Sequence, residues 1–331
     1  MKTLFCLLYI NLIFLINDYA QAAMSMQLPL NDSLLSVDNI FLETPVGKLH
    51  GTLTIPESVK APPVVLLISG SGPTDRNCNA RTGLHTDAFL KIAQELKNAG
   101  IASLRYDKRS TGLSVGGDES TLTIDDYIND AIGWIKLLRS GNRFSKIFVF
   151  GHSEGSLIGM IAAAAEPVDG FISAAGAGER ANVIIQRQIK NVFPEKLYNC
   201  SVAILDTLKR GEAFTHAIPP ELSSIFRQSA QSYLISWMKY DPQQEIKKVR
   251  VPIFVIQGTN DLQVSVADAE LLAHAANKAS LCLLNNMNHI FVKVTGAMEE
   301  NIASYYKPAL PLHPDLIDTL VHFIKSPGAS K

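Results

Sequence analysis

The sequence feature that most constrains the fold is an alternation of short apolar runs with segments of helical periodicity. Four runs have the length of strands buried on both faces: 64–69, 101–106, 146–150 and 168–174. Apolar residues recur at helical spacing in three further segments: 89–96, 124–135 and 156–165. This pattern is typical of the α/β class and predicts a mainly parallel sheet flanked by helices. Residues 38–56 differ, and we expect an antiparallel hairpin there, at one edge of the sheet, with its turn at 45–47.

The alternation stops at about residue 178. Three helical patterns follow without any strand between them: 181–192, 197–208 and 222–238. Strand character returns at 251–256, so these helices are inserted between two strands of one sheet. We therefore predict a helical cap of residues 178–249 over a core formed by residues 23–177 and 250–331.

The first residues resemble a secretory signal. Lys2 precedes an apolar run at 4–16, and Ala20-Gln21-Ala22 provides a small-x-small cleavage site. The run is shorter than the roughly 20 apolar residues that span a bilayer. We expect residues 1–22 to be a signal peptide, its removal to leave no stable membrane insertion, and the protein to be exported, periplasmic or secreted. An uncleaved N-terminal anchor is the alternative.

Charge and cysteine content exclude several classes of function. The formal net charge is −1, whereas nucleic acids and anionic membranes require a concentrated basic surface. We therefore expect neither as a partner. Cys78, Cys200 and Cys282 remain after signal removal, and an oxidising compartment allows three different pairings or free thiols. Their spacing fits no zinc motif, so no metal site is predicted.

The Gly-His-Ser-Glu-Gly motif at 151–155 is the main chemical signal. It follows a predicted strand and opens a predicted helix, which is the context of a nucleophile elbow. We therefore predict that Ser153 is the nucleophile, at a helix N-terminus that favours developing negative charge. A second match at 112–116 carries Ser114. No strand directly precedes it and a polar loop follows, so we interpret it as a flexible loop.

A serine nucleophile needs a base and an acid that orients the base. In sheets of this type they follow the serine along the chain, at the ends of later strands. Asp261 follows the strand at 251–257, and His289 follows the strand at 281–284. Glu179, after an earlier strand, is the rival acid. His152 is beside the nucleophile, and we expect it to point away.

The oxyanion of an acyl-transfer reaction needs two N–H donors. We expect one from the backbone of Glu154, the residue after the nucleophile. The other is expected from the small-residue loop at 69–73, with Ser71 as the first candidate and Gly72 as the second. No lysine-containing P-loop pattern follows this loop, which argues against a phosphate site.

These motifs together resemble a known family, the α/β-hydrolase esterases with a helical cap, which are grouped with serine aminopeptidase-like hydrolases. The matching stretches are 70–77, 105–109, 151–156, 258–264 and 286–289. The resemblance implies the α/β-hydrolase fold, carboxylesterase activity on short acyl esters, and no cofactor. It also implies the triad Ser153, Asp261 and His289, with Ser71 and Glu154 at the oxyanion hole.

Two local features complete the comparison with that family. Similar proteins usually carry glycine where this chain has Ser110, which leaves the local turn open. Asp75, Arg76 and Asp107 are expected to form an ionic network that braces the active-site loops, rather than to contact substrate.

We therefore expect a serine carboxylesterase that acts on a small-molecule ester through an acyl-enzyme. A serine peptidase or amidase on the same scaffold is the first alternative, and a non-catalytic binding protein of the same fold is the second. Apolar residues of the cap are expected to form an acyl pocket. The candidates for its aromatic wall are Phe226, Tyr233 and Trp237.

Overall fold

A computed structural model describes residues 37–80, 83–190 and 192–326 of the protein. The predicted signal peptide lies outside these residues. Eight strands form one sheet, and we number them along the chain: β1 (Val37–Thr44), β2 (Gly47–Thr54), β3 (Val64–Ile68), β4 (Ala102–Tyr106), β5 (Ile147–His152), β6 (Gly170–Ala174), β7 (Ile253–Gly258) and β8 (Ala279–Leu284). Their order across the sheet is β1-β2-β4-β3-β5-β6-β7-β8.

The pairing confirms a mainly parallel sheet. Strands β1 and β2 form the predicted antiparallel hairpin at one edge, and β2 also pairs antiparallel with β4. All pairs from β4 to β8 are parallel. The carboxyl ends of β3, β5, β6, β7 and β8 therefore lie along one edge, where ligands bind in such sheets.

The described α-helices are α1 (Ala88–Asn98), α2 (Ile124–Ser140), α3 (Glu154–Ala165), α4 (Ala181–Lys190), α5 (Glu195–Lys209), α6 (Pro220–Phe226), α7 (Gln231–Met238), α8 (Pro242–Ile246), α9 (Val266–Ala275), α10 (Met298–Ser304) and α11 (Leu316–Lys325). Among the residues given coordinates, none of these helices is long and apolar enough to cross a membrane.

Two apolar layers fix the helices on the sheet. One face packs against α2, α3 and α9, and the other packs against α1 and α11. This confirms the expected three-layer arrangement. Helix α2 begins at Ile124, where Thr123 accepts from the Asp126 backbone N–H and the Asp126 carboxylate accepts from the Thr123 N–H in return.

Helices α4 to α8 lie between β6 and β7 in the chain, and α4 to α7 share an apolar cluster of their own. The single helix predicted at 222–238 is wrong: α6 ends at Phe226 and α7 begins at Gln231. Arg227 takes an extended conformation between them, and its guanidinium pairs with Glu119 of the core. A tertiary ion pair thus interrupts a helical pattern that local periodicity supports. The division into core and cap remains a prediction.

Candidate active site

The nucleophile elbow predicted at 151–155 is present as a sharp turn from β5 into α3. Ser153 lies between them with φ 56° and ψ −122°, a backbone conformation that L-residues rarely adopt. A Cβ on Gly151 would lie 2.2 Å from the Gly155 carbonyl oxygen, and a Cβ on Gly155 would lie 2.4 Å from the Ile68 carbonyl oxygen. Both positions therefore require glycine, and the tight packing holds the serine in its strained conformation.

The predicted acid and base lie in direct contact. His289 Nδ1 donates to Asp261 Oδ2 at 2.8 Å, and both side chains are buried. A histidine that donates from Nδ1 leaves Nε2 as its acceptor, the tautomer that a general base needs. The rival acid is elsewhere, because Glu179 pairs with Arg187 at 3.2 Å. The structure thus brings Asp261, and not Glu179, to the histidine.

The Asp261 carboxylate is held by its own loop as well. Its Oδ1 accepts from the backbone N–H groups of Gln263 (2.7 Å) and Val264 (3.0 Å). Burial alone would raise the pKa of Asp261, but the contact with His289 and these two N–H groups together lower it. The carboxylate is therefore ionised at neutral pH and able to stabilise an imidazolium.

Gln257 is a residue that the sequence analysis missed. It is buried near the end of β7, and its Nε2 donates to Asp261 Oδ2 at 3.0 Å, the oxygen that also accepts from His289. The same amide donates to the carbonyl oxygen of Val264 at 2.9 Å. The only sequence signal was its position directly before the 258–261 motif, which does not show where a side chain points.

His152 lies beneath the loop that carries the base. Its Nε2 donates to the His289 carbonyl oxygen at 2.9 Å, and the two rings are 4.7 Å apart. The side chain therefore supports the base, which refines the expectation that it merely points away. Burial, together with the nearby His289, lowers the pKa of His152 to about 3. The ring is neutral over the ordinary pH range.

A cleft that is partly open to solvent brings the candidate nucleophile and the predicted oxyanion residues together. Ser71, Ser153 and Glu154 lie on its wall. The remaining lining residues come mainly from the inserted helices and the β7 loop: Leu157, Ala177, Glu179, Ala181, Ile184, Ile185, Gln188, Trp237, Pro242, Gln263 and Val264. The cleft is thus mostly apolar with a few polar groups, as small-molecule sites are.

Two links of the predicted arrangement differ from expectation. Within the described residues, no hydrogen bond joins Ser153 Oγ to His289, a contact that hydrolases often tighten only when substrate binds.

Of the three aromatic candidates for the pocket wall, only Trp237 lines the cleft. Phe226 is fully buried in the apolar cluster of the inserted helices, and Tyr233 packs against Tyr127 with ring centres 5.7 Å apart.

The second serine motif has a structural role. Ser114 is buried, its Oγ donates to the Asp107 carbonyl oxygen (2.8 Å), and it accepts from the His50 N–H (2.8 Å). The segment is the expected loop. Ser114 is fixed within it by these two hydrogen bonds, so the interpretation of the loop as flexible was wrong at this position. Ser110 has φ 58°, which explains why glycine is expected there.

The ionic network is formed in part. Arg76 pairs with Asp107 through two nitrogen atoms, at 3.1 Å and 2.6 Å. Asp75 does not join this pair. Its carboxylate accepts from the backbone N–H groups of Asn77 and Asn79, so it stabilises the turn itself.

Comparison with known proteins agrees with this fold. A family model described as serine aminopeptidase, S33 (Hydrolase_4) matches residues 80–293, and the chain belongs to this family. Esterase EstD of Thermotoga maritima is 29% identical over 258 residues, which are 76% of this chain and 60% of EstD. The chain therefore spans about 60% of the length of that relative.

Two solved structures establish the fold. The α/β hydrolase GrgF from Penicillium sp. sh18 has a TM-score of 0.57 at 17% identity, covering 88% of this chain and 98% of GrgF. The esterase Pf2001 from Pyrococcus furiosus has a TM-score of 0.54 at 16% identity, covering 88% of this chain and 93% of that protein. The predicted α/β-hydrolase fold is confirmed.

Proposed function

We propose that the protein is a serine carboxylesterase that hydrolyses short acyl esters of small molecules. The observation that carries this proposal is the buried Asp261–His289 hydrogen bond at 2.8 Å, beside a cleft that contains Ser153 on a strained elbow. The similarity to an esterase over three quarters of the chain supports the same conclusion.

The reaction proceeds by acyl transfer in two steps. His289 Nε2 takes the proton of Ser153 as Oγ attacks the ester carbonyl carbon, and it returns that proton to the leaving alcohol. Asp261 keeps the imidazole in its working tautomer and stabilises the imidazolium. Water, activated by His289, then attacks the acyl carbon and releases the carboxylic acid.

The backbone N–H groups of Ser71 and Glu154 are proposed to bind the oxyanion of both tetrahedral intermediates. Each such donor lowers the barrier by roughly 3–4 kcal/mol. Glu154 begins α3, so its N–H points outward from the helix N-terminus, where the helix dipole favours negative charge.

The proposed cap of residues 178–249 selects the acyl group. Ala181, Ile184 and Ile185 of α4 line the cleft above α3, together with Trp237. Glu179 also reaches the cleft, but its carboxylate pairs with Arg187. A carboxylate that already contacts a guanidinium is less available to the α-amino group of a peptide, which favours the esterase over an aminopeptidase.

A fluorophosphonate probe tests the nucleophile directly. We expect it to label Ser153, as mapped by mass spectrometry, and we expect Ser153→Ala to abolish both the label and the hydrolysis of short p-nitrophenyl esters. The matched control is Ser114→Ala, which should keep both. A label on Ser114, or hydrolysis of aminoacyl amides in preference to esters, would contradict the proposal.

We also propose that the protein is exported, on the basis of the pattern in residues 1–22. The test is the N-terminal sequence of the protein recovered from cell fractions. We expect it to begin after Ala22. A cytoplasmic protein that retains Met1 to Ala22 would contradict this.

A further inference from the structure

Two buried charged side chains lie beneath the cleft and take no part in the mechanism proposed above. Lys108 exposes 1% of its surface and Glu154 exposes 5%. Removing a charge from water is unfavourable unless nearby groups compensate for it. The contacts of these two residues therefore indicate what their burial achieves.

Lys108 follows β4 and reaches the loop that carries the proposed oxyanion donor. Its Nζ donates to the carbonyl oxygen of Gly70 and lies 5.1 Å from the centre of the Tyr127 ring. The Gly70 carbonyl and the Ser71 N–H belong to the same peptide unit. Because a trans peptide is planar and its C=O and N–H point in opposite directions, fixing the carbonyl also fixes the direction of the N–H.

Glu154 is the second buried charged residue, and it begins α3 at the wall of the cleft. Its carboxyl group faces the charge of Lys108 and the Tyr233 hydroxyl, although neither carboxyl oxygen makes an aligned hydrogen bond within the described residues. Burial raises the pKa of Glu154, and the positive charge of Lys108 acts against that rise. The backbone N–H of Glu154 is the other proposed oxyanion donor.

We propose that Lys108 is a positioning residue of the oxyanion hole, which holds the Gly70–Ser71 peptide by its carbonyl so that the Ser71 N–H faces the cleft. Glu154 is the buried acid whose charge acts electrostatically on this ammonium group. The bond to Lys108 also polarises the peptide and makes its N–H a stronger donor. This inference rests on the proposed esterase function and assigns a part of its machinery.

The first experiment removes the ammonium group while keeping the length of the side chain, in Lys108→Met. We expect kcat for a short p-nitrophenyl ester to fall about 10- to 100-fold, because a misdirected N–H donor stabilises the oxyanion of the transition state less well. We expect KM to change less than about threefold, since the ester ground state makes little use of the oxyanion hole. A trifluoromethyl ketone, which forms an oxyanion on Ser153, should lose affinity by about the same factor as kcat.

Arg109→Met is the matched control. Arg109 is also buried, at 8% exposure, but it binds Asp126 and Asp130 of α2. It makes no hydrogen bond to the 69–73 loop among the described residues. Its loss should lower the midpoint of thermal unfolding while kcat and inhibitor affinity stay within about threefold of wild type.

A double variant separates catalysis from stability. Lys108→Met leaves Glu154 buried without its compensating charge, which destabilises the fold. Lys108→Met with Glu154→Gln makes the pair neutral and keeps the Glu154 backbone N–H. We expect the unfolding midpoint to recover while kcat and inhibitor affinity remain low.

Two results would overturn the role of Lys108. One is wild-type kcat and inhibitor affinity in folded Lys108→Met. The other is recovery of kcat in the double variant, which would assign the loss to an unpaired charge rather than to the Gly70 contact. A wild-type protein that neither reacts with the fluorophosphonate nor hydrolyses esters would overturn the proposed function, and the Lys108 role with it.

Discussion

The neutral, buried His152 makes the stability of the protein depend on pH in a calculable way. In the unfolded chain this histidine binds a proton below its ordinary pKa of 6.5, whereas in the folded protein its pKa is about 3. Between these values the unfolded state binds more protons, so the contribution of His152 to stability is present above pH 6.5 and is lost as the pH falls. At about pH 5 the loss amounts to about 2 kcal/mol of unfolding free energy.

The assay compares wild type with His152→Gln by urea unfolding at several values from about pH 8 to about pH 5. Glutamine keeps a donor for the His289 carbonyl oxygen but does not titrate. The stability lost by replacing the packed ring does not depend on pH, and the other titrating groups are present in both proteins. We subtract the unfolding free energy of wild type from that of the variant. We expect this difference to rise by about 2 kcal/mol as the pH falls from about 8 to about 5.

Parallel stability profiles for the two proteins would refute the reasoning. They would mean that His152 takes up its proton in the folded state as easily as in the unfolded chain. The burial of the ring against His289 and Phe291 would then not exclude the charged form. A difference that changes in the opposite direction would mean that a nearby carboxylate stabilises the imidazolium.

Three further predictions concern activity. Asp261→Asn should lower kcat about 10⁴-fold by analogy with serine proteases, because the amide favours the wrong histidine tautomer; a larger loss in Glu179→Gln would move the acid to Glu179. Gln257→Leu should lower kcat about tenfold, since a hydrogen bond to a charged group contributes about 1.5 kcal/mol; an unchanged kcat would show that the other donors suffice. Trp237→Ala should move the optimum of kcat/KM in an acyl-length series to longer chains, each added methylene gaining about 0.8 kcal/mol. The fully buried Phe226 is the control, since Phe226→Leu should leave that optimum in place.

The chemistry of the site could be predicted from local sequence. Each of the residues Ser153, Asp261 and His289 follows a recognisable strand, and parallel strands bring their carboxyl ends to one edge. The two glycines of the elbow could also be predicted, because a turn this sharp leaves no space for a Cβ. The geometry of Asp261 and His289 agrees with that local pattern.

The long-range contacts could not be predicted in the same way. Lys108 and His152 differ from ordinary buried residues only in what their side chains reach, and each partner is distant in the sequence. The break at Arg227 has the same origin, since its ion pair with Glu119 joins residues 108 positions apart. Hydrophobic periodicity predicts one helix or strand at a time, so it cannot predict a contact between two of them.

The sequence by itself therefore determined the α/β class, the sheet-edge position of the candidate site, the candidate nucleophile and base, and two candidates for the acid. These depend on strand spacing and on steric limits within a few residues. Tertiary structure alone decided that Asp261 rather than Glu179 meets the histidine, that Trp237 rather than Phe226 lines the cleft, and that Lys108 reaches the Gly70 carbonyl. The physical reason is that burial and side-chain direction are set by packing between elements, which no local pattern contains.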